Sequence, residues 1–112
     1  MEEKVTAVYD FVMQRCLWQF FSRNWDREDN INSIMPNVAK IKNGEEVDRS
    51  SNIANSHYAD AKILFDQLME QFPWFADLSA DEVTEICDEV RERLLDIAVT
   101  NSLNAERTEV KY

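Results

Sequence analysis

Apolar residues recur at steps of three and four along most of the chain, the spacing that lines one side of an α-helix. Val5, Val8, Tyr9, Val12, Cys16 and Phe20 keep this step and predict a first helix over roughly residues 3–21. Ile31, Ile34, Met35, Val38 and Ile41 predict a second over 26–43. Gly44 follows, the residue best able to take the left-handed conformation that closes a helix. Pro36 interrupts that stripe; a proline inside a helix removes one backbone hydrogen bond, so a kink or restart is expected near it. Ile53, His57, Ala61, Leu64, Phe65, Leu68 and Phe72 predict a third helix over 52–72, ended because the residue before Pro73 is pushed out of helical geometry.

Ser79 and Glu82 have the spacing of a capping box, in which each side chain satisfies one free amide of a starting helix. A fourth helix over 80–100 follows, with Val83, Ile86, Cys87, Val90, Leu94 and Ile97 on one side and Asp81, Glu85, Asp88, Glu89, Glu92 and Asp96 on the others. Residues 101–112 hold only Leu103, Val110 and Tyr112 as apolar anchors, which predicts an extended or partner-bound tail. The fold class expected is all-α: one small domain, 1–112, built as a bundle of about four helices with an extended C-terminal tail.

Composition sharpens this. One glycine and two prolines in 112 residues leave few tight turns, which argues against an all-β fold. A net charge of −10 disfavours nucleic acid and anionic membranes, both of which are held by clustered lysine and arginine. No window is apolar for long enough to span a bilayer. Cys16 and Cys87 stand far apart and nothing at the N-terminus reads as a secretion leader, so a reducing, cytoplasmic setting is expected.

Candidate chemistry is sparse. His57 is the sole histidine and lacks the Glu-x-x-His order of di-iron bundles. Both cysteines sit on apolar stripes, where a thiol behaves as a small hydrophobe. An EF-hand needs a central glycine among alternating acids, and Gly44 is the only glycine. The acidic sides of the fourth helix read as solvated, with docking onto a basic partner as the sharper alternative. No catalytic, metal-binding or cofactor-binding residue is assigned.

The stretch Cys16 to Ile31 stands apart. Trp18, Phe20, Phe21 and Trp25 fall within eight positions, more rings than one helix side can turn inward. Arg23 and Arg27 bracket Trp25, and tryptophan with arginine is the pairing enriched at binding hot spots. This pattern predicts a partner surface, with Phe20 facing the bundle and Trp18, Phe21, Arg23, Trp25 and Arg27 divided between core edge and partner.

Cys16-Leu-Trp-Gln-Phe, Ser22-Arg23, Trp25-Asp26-Arg27, Tyr58-Ala-Asp60-Ala, Phe72-Pro73-Trp74, Arg93-Leu94 with Asp96, Thr100 with Ser102 and Asn104, and terminal Tyr112 together resemble the delta subunit of the alternative nitrogenases. Phe20-Phe21 is similar to the vanadium type, where the iron-only type tends to carry Phe-His, and Asp26-Arg27-Glu28 followed by Asn30-Ile31 also looks vanadium-like. The resemblance implies a non-catalytic chain docked on the nitrogenase alpha subunit, in a hexamer of two alpha, two beta and two delta chains. It implies that the iron–sulfur cluster and the iron–vanadium cofactor belong to those partner subunits, and that delta supports assembly or cofactor insertion. Trp74 and Tyr112 join the expected partner contacts on this basis. Pro36 departs from the family pattern. The other readings are an iron-only delta subunit, an unrelated acidic helical adaptor, and a small metalloenzyme.

Overall fold

The computed structural model describes residues 1–14 and 27–110, with side chains over 1–14 and 28–96. Its elements are α1 (Glu2–Phe11), α2 (Arg27–Lys42), α3 (Asn52–Gln71), a 3-10 turn (Pro73–Asp77) and α4 (Ala80–Val110). No strand occurs among the described residues. α2 packs against both α3 and α4, and α1 lies on α4. The helical stripes converge on one core in which Val5, Val8, Val12, Ile34, Met35, Val38, Leu64, Leu68, Ile86 and Val90 are at most 1 % exposed.

Local chemistry sets the ends. Gly44 has φ +73° and closes α2, with its N–H donating to the Ile41 carbonyl at 3.2 Å and the Glu45 N–H to the Lys40 carbonyl at 2.9 Å. These two bonds satisfy carbonyls that the end of a helix otherwise leaves free. Ser51 caps α3 by accepting from the Ala54 N–H at 3.0 Å. The capping box of α4 is formed: the Glu82 N–H donates to Ser79 Oγ at 3.2 Å, and the Ser79 N–H to the Glu82 carboxylate at 2.9 Å. That hydrogen bond is the main reason the Glu82 carboxyl is held below its ordinary range.

Five expectations change. α2 runs unbroken through Pro36 instead of restarting there. A mid-helix proline costs about 3 kcal/mol, but Ile34, Met35 and Val38 are fully buried around it and contribute about 2 kcal/mol each, so packing wins. α4 continues to Val110, where an extended tail was expected. Residues 101–110 contain neither glycine nor proline, and lengthening an existing helix avoids the cost of nucleating one. Ile53, expected on the core side of α3, is 71 % exposed, because it lies a turn beyond the point where α3 leaves the core. The segment after Pro73, left between the predicted third and fourth helices, is a 3-10 turn that buries Phe75 completely and Leu78 nearly so. Regular α1 ends at Phe11, followed by a wider π-type turn over residues 12–14. The remainder of the first predicted helix lies outside the described residues.

Three asparagines tie α2 to its neighbours. Asn30 Oδ1 lies 3.0 Å from His57 Nε2 on α3, Asn32 Oδ1 accepts from Arg91 on α4 at 3.1 Å, and the Asn43 amide donates to the Ala80 carbonyl at 3.3 Å. Nothing in the periodic pattern marks these residues, since asparagine is also common at unbonded surface positions.

Candidate interaction surface

Of the expected partner contacts, Trp18, Phe21, Arg23, Trp25 and Tyr112 lie outside the described residues. Arg27 opens α2, and nothing is described of its side chain. Trp74 is half-buried at the end of the bundle where α1, α3 and the 3-10 turn meet. Its ring centroid is 4.9 Å from that of Phe72, and Lys4 Nζ sits 5.6 Å from it over the ring. Phe72 in turn meets Phe11 edge-on at 5.8 Å. The rings of this end therefore cover one another, and Trp74 contributes to the bundle's edge.

Of the scarce reactive groups, Cys87 and His57 lie among the described residues. Cys87 is buried on the inner side of α4, and desolvation pushes its thiol up to about 12, which keeps it protonated at neutral pH. Cys16 lies outside the described residues. His57 is half-buried and engaged with Asn30. Among the described residues no group of three or more histidine, cysteine or acidic side chains is placed to hold a metal ion. No helix there is long and apolar enough to cross a membrane.

Three shallow clefts mark the described surface. One of about 330 Å³ is lined by Phe11, Gln67, Glu70 and Gln71. A second of about 290 Å³ lies between the loop after α2 and α3, where the Arg49 guanidinium stacks 4.6 Å from the Tyr58 centroid. A third of about 190 Å³ lies between α2 and α3, with Asn32, Lys40, Asp48 and His57 among its walls. The Ser50 hydroxyl first, and then the Ser50 N–H, which donates to Asp48 at 2.9 Å, hold the Asp48 carboxyl below the ordinary range. None brings a nucleophile, a base and a stabilising donor to one point, the arrangement that acyl or phosphoryl transfer needs.

Charge is distributed unevenly over the surface. On α4 Asp81, Glu85, Asp88, Glu89, Glu92 and Asp96 are all exposed and form a continuous acidic side. On α3 the exposed residues Asn52, Ser56, Ala59 and Ile63, spaced by four, three and four, carry no charge.

The described residues define a small all-α helical bundle whose polar side chains join its helices. The model of the family described as the vanadium/alternative nitrogenase delta subunit matches residues 2–112, and the chain belongs to that family. It is 41 % identical over 109 residues to the nitrogenase iron-iron protein delta chain of Clostridium pasteurianum, covering 97 % of this chain and 94 % of the relative. It is 36 % identical over 112 residues to the chain of the same name from Azomonas macrocytogenes, covering both in full. With that of Rhodospirillum rubrum it shares 30 % over 112 residues, covering 100 % of this chain and 97 % of the relative. It is a delta subunit of an alternative nitrogenase, and so part of a complex with other nitrogenase subunits.

Proposed function

We propose that this chain is the non-catalytic delta subunit of a vanadium-dependent dinitrogenase, binding the alpha subunit directly in a hexamer of two alpha, two beta and two delta chains, and assisting assembly or cofactor insertion. The family match over residues 2–112 is the observation that carries the delta assignment. The iron–sulfur cluster and the iron–vanadium cofactor belong, on this reading, to the partner subunits, in a cytoplasmic complex. Phe20-Phe21 and the run Asp26-Arg27-Glu28 support the vanadium class. A second reading, the iron-only class, is favoured by the names of the relatives above, all iron-iron delta chains.

Trp18, Phe21, Arg23, Trp25, Arg27, Trp74 and Tyr112 are the proposed contacts with the alpha subunit. Arginine beside tryptophan combines a fixed charge with a large desolvated area, the combination that concentrates binding energy. Reversing charge at Arg23 and Arg27 is expected to weaken association while leaving helicity intact; a variant that unfolds would place them in the core.

The deciding experiment is anaerobic purification through a tag on this chain from cells starved of molybdenum, followed by native mass and metal analysis. A complex of hexamer mass containing vanadium is expected. Iron without vanadium would select the second reading, and recovery of this chain alone would overturn both.

A further inference from the structure

We infer that Asn43 is a site of spontaneous deamidation, and that the junction between the end of α2 and the start of α4 sets its rate. The chain has nine asparagines, and Asn43 alone is followed by glycine; the others are followed by Trp, Ile, Ser, Val or Ala. Glycine has no Cβ to hinder approach of its backbone nitrogen to the preceding side chain, so this pairing is the one most prone to ring closure. Gly44 is exposed at φ +73°, and the space where a Cβ would stand is open, so solvent reaches the reacting atoms.

The reaction is a hydrolysis. The Gly44 nitrogen gives up its proton to solvent base and attacks Asn43 Cγ. An N–Cγ bond forms, the Cγ–Nδ2 bond breaks, and ammonia leaves with a proton taken from water, closing a five-membered succinimide. Water then opens the ring at one of its two carbonyls, leaving aspartate or isoaspartate in place of the asparagine. Both reacting groups are restrained in the folded chain. The Gly44 N–H donates to the Ile41 carbonyl at 3.2 Å, and the Asn43 amide donates to the Ala80 carbonyl at 3.3 Å and to Thr84 Oγ1 at 3.4 Å. All three bonds are longer than the usual length of about 2.9–3.0 Å and lie at the surface, so they open without unfolding of the core.

The product does not fit the junction that the asparagine joins. The Asn43 amide meets Ala80 and Thr84 as a donor, whereas a carboxylate only accepts. The Thr84 hydroxyl already donates to the Ala80 carbonyl at 3.0 Å. A carboxylate in this place gains a donor only by taking that proton from Ala80, and it still faces the Ala80 carbonyl oxygen. Isoaspartate further adds a backbone methylene immediately before the Gly44 turn that closes α2. Deamidation thus loosens the tie between α2 and α4 and adds one negative charge to a chain whose net charge is already −10.

The test follows the reaction in the full chain, incubated at 37 °C in mildly alkaline buffer and mapped by peptide mass spectrometry. Asn43 is expected to deamidate before any other asparagine, with isoaspartate among the products. The rate there should be at least about tenfold lower in the folded chain than in urea. Thr84→Ala, at an exposed position of α4 where alanine favours the helix, removes one acceptor of the Asn43 amide. It should speed the folded reaction by about threefold and leave the rate in urea unchanged. Gly44→Ala should slow the reaction in both states, because a side chain then crowds the attack. Asn43→Asp should lower Tm by about 4 °C. Amide exchange at Gly44 reports the opening without any variant, and should be slowed relative to an unstructured peptide by a factor similar to the ratio of the two rates. Equal rates at Asn43 in the folded chain and in urea would overturn the inference, as would earlier modification of another asparagine in the folded chain. Wild-type Tm in Asn43→Asp would overturn the loosening of the junction.

Discussion

The guanidinium of Arg93 on α4 donates to the carboxylate of Glu2 on α1, joining residues 91 positions apart in sequence. Arg93 also donates to Thr6 Oγ1 at 3.3 Å and lies 6.0 Å from the Tyr9 centroid, so one cation spans three successive turns of α1. The hydrogen bond from Arg93 holds the Glu2 carboxyl below its usual 4.5. A depressed folded pKa stabilises the protein at pH values above the unfolded pKa, and that contribution is lost as pH falls through the folded value. Glu2→Gln is therefore expected to lower Tm slightly at neutral pH, with the difference from wild type vanishing under acid. Because the pair is exposed, the difference should also shrink in high salt. Thermal melts of both chains from pH 7 to pH 3 check this.

Ser79→Ala removes one half of the capping box while leaving the Glu82 carboxylate bonded to the backbone N–H at position 79. The expected cost is about 1 kcal/mol of global stability, read from urea unfolding with an unchanged m-value.

Phe75 is fully buried, its ring 6.4 Å from that of Phe65 and set at 62° to it. Phe75→Ala is expected to cost about 3–5 kcal/mol. A domain of this size has roughly 5–15 kcal/mol in total, so the variant should melt far lower or be largely unfolded at 37 °C. Phe75→Leu, which leaves a smaller cavity, should fold with an intermediate Tm.

Cys87 is held neutral by burial, its thiol pushed up to about 12. In a Cys16→Ser background, where it is the sole thiol, a disulfide reagent at pH 7.5 should label it only as fast as the chain opens. Labelling should become immediate in denaturant. Rapid native labelling would mean that α4 detaches from the core at little cost.

The helices were legible because each buries a single stripe, and a period of 3.6 leaves the same trace in sequence whatever the helix packs against. Ser51, Ser79 with Glu82, and Gly44 were legible for a related reason: a helix end is satisfied by groups within four residues. Pro36 and the tail misled because local rules price a proline or a run of polar residues without the packing and helix propagation that outweigh them. Ile53 misled because periodicity shows which side of a helix is apolar, not where along its length the core ends. The aromatic stretch from Trp18 to Arg27 stood out by composition, yet its five proposed contacts, and Trp74 and Tyr112 beyond it, were reached by resemblance and surplus, not by position in space.

By itself the sequence determined that this is an all-α chain of about four helices with acidic outer sides, and its motifs carried the delta-subunit family. Those properties depend on spacing along one element or on residue type. Only the tertiary structure decided that Phe75 is core, that Asn30, Asn32 and Asn43 tie α2 to its neighbours, and that Arg93 reaches Glu2. Each of these requires knowing which helices become neighbours, and contacts between residues distant along the chain leave no periodic signature in it.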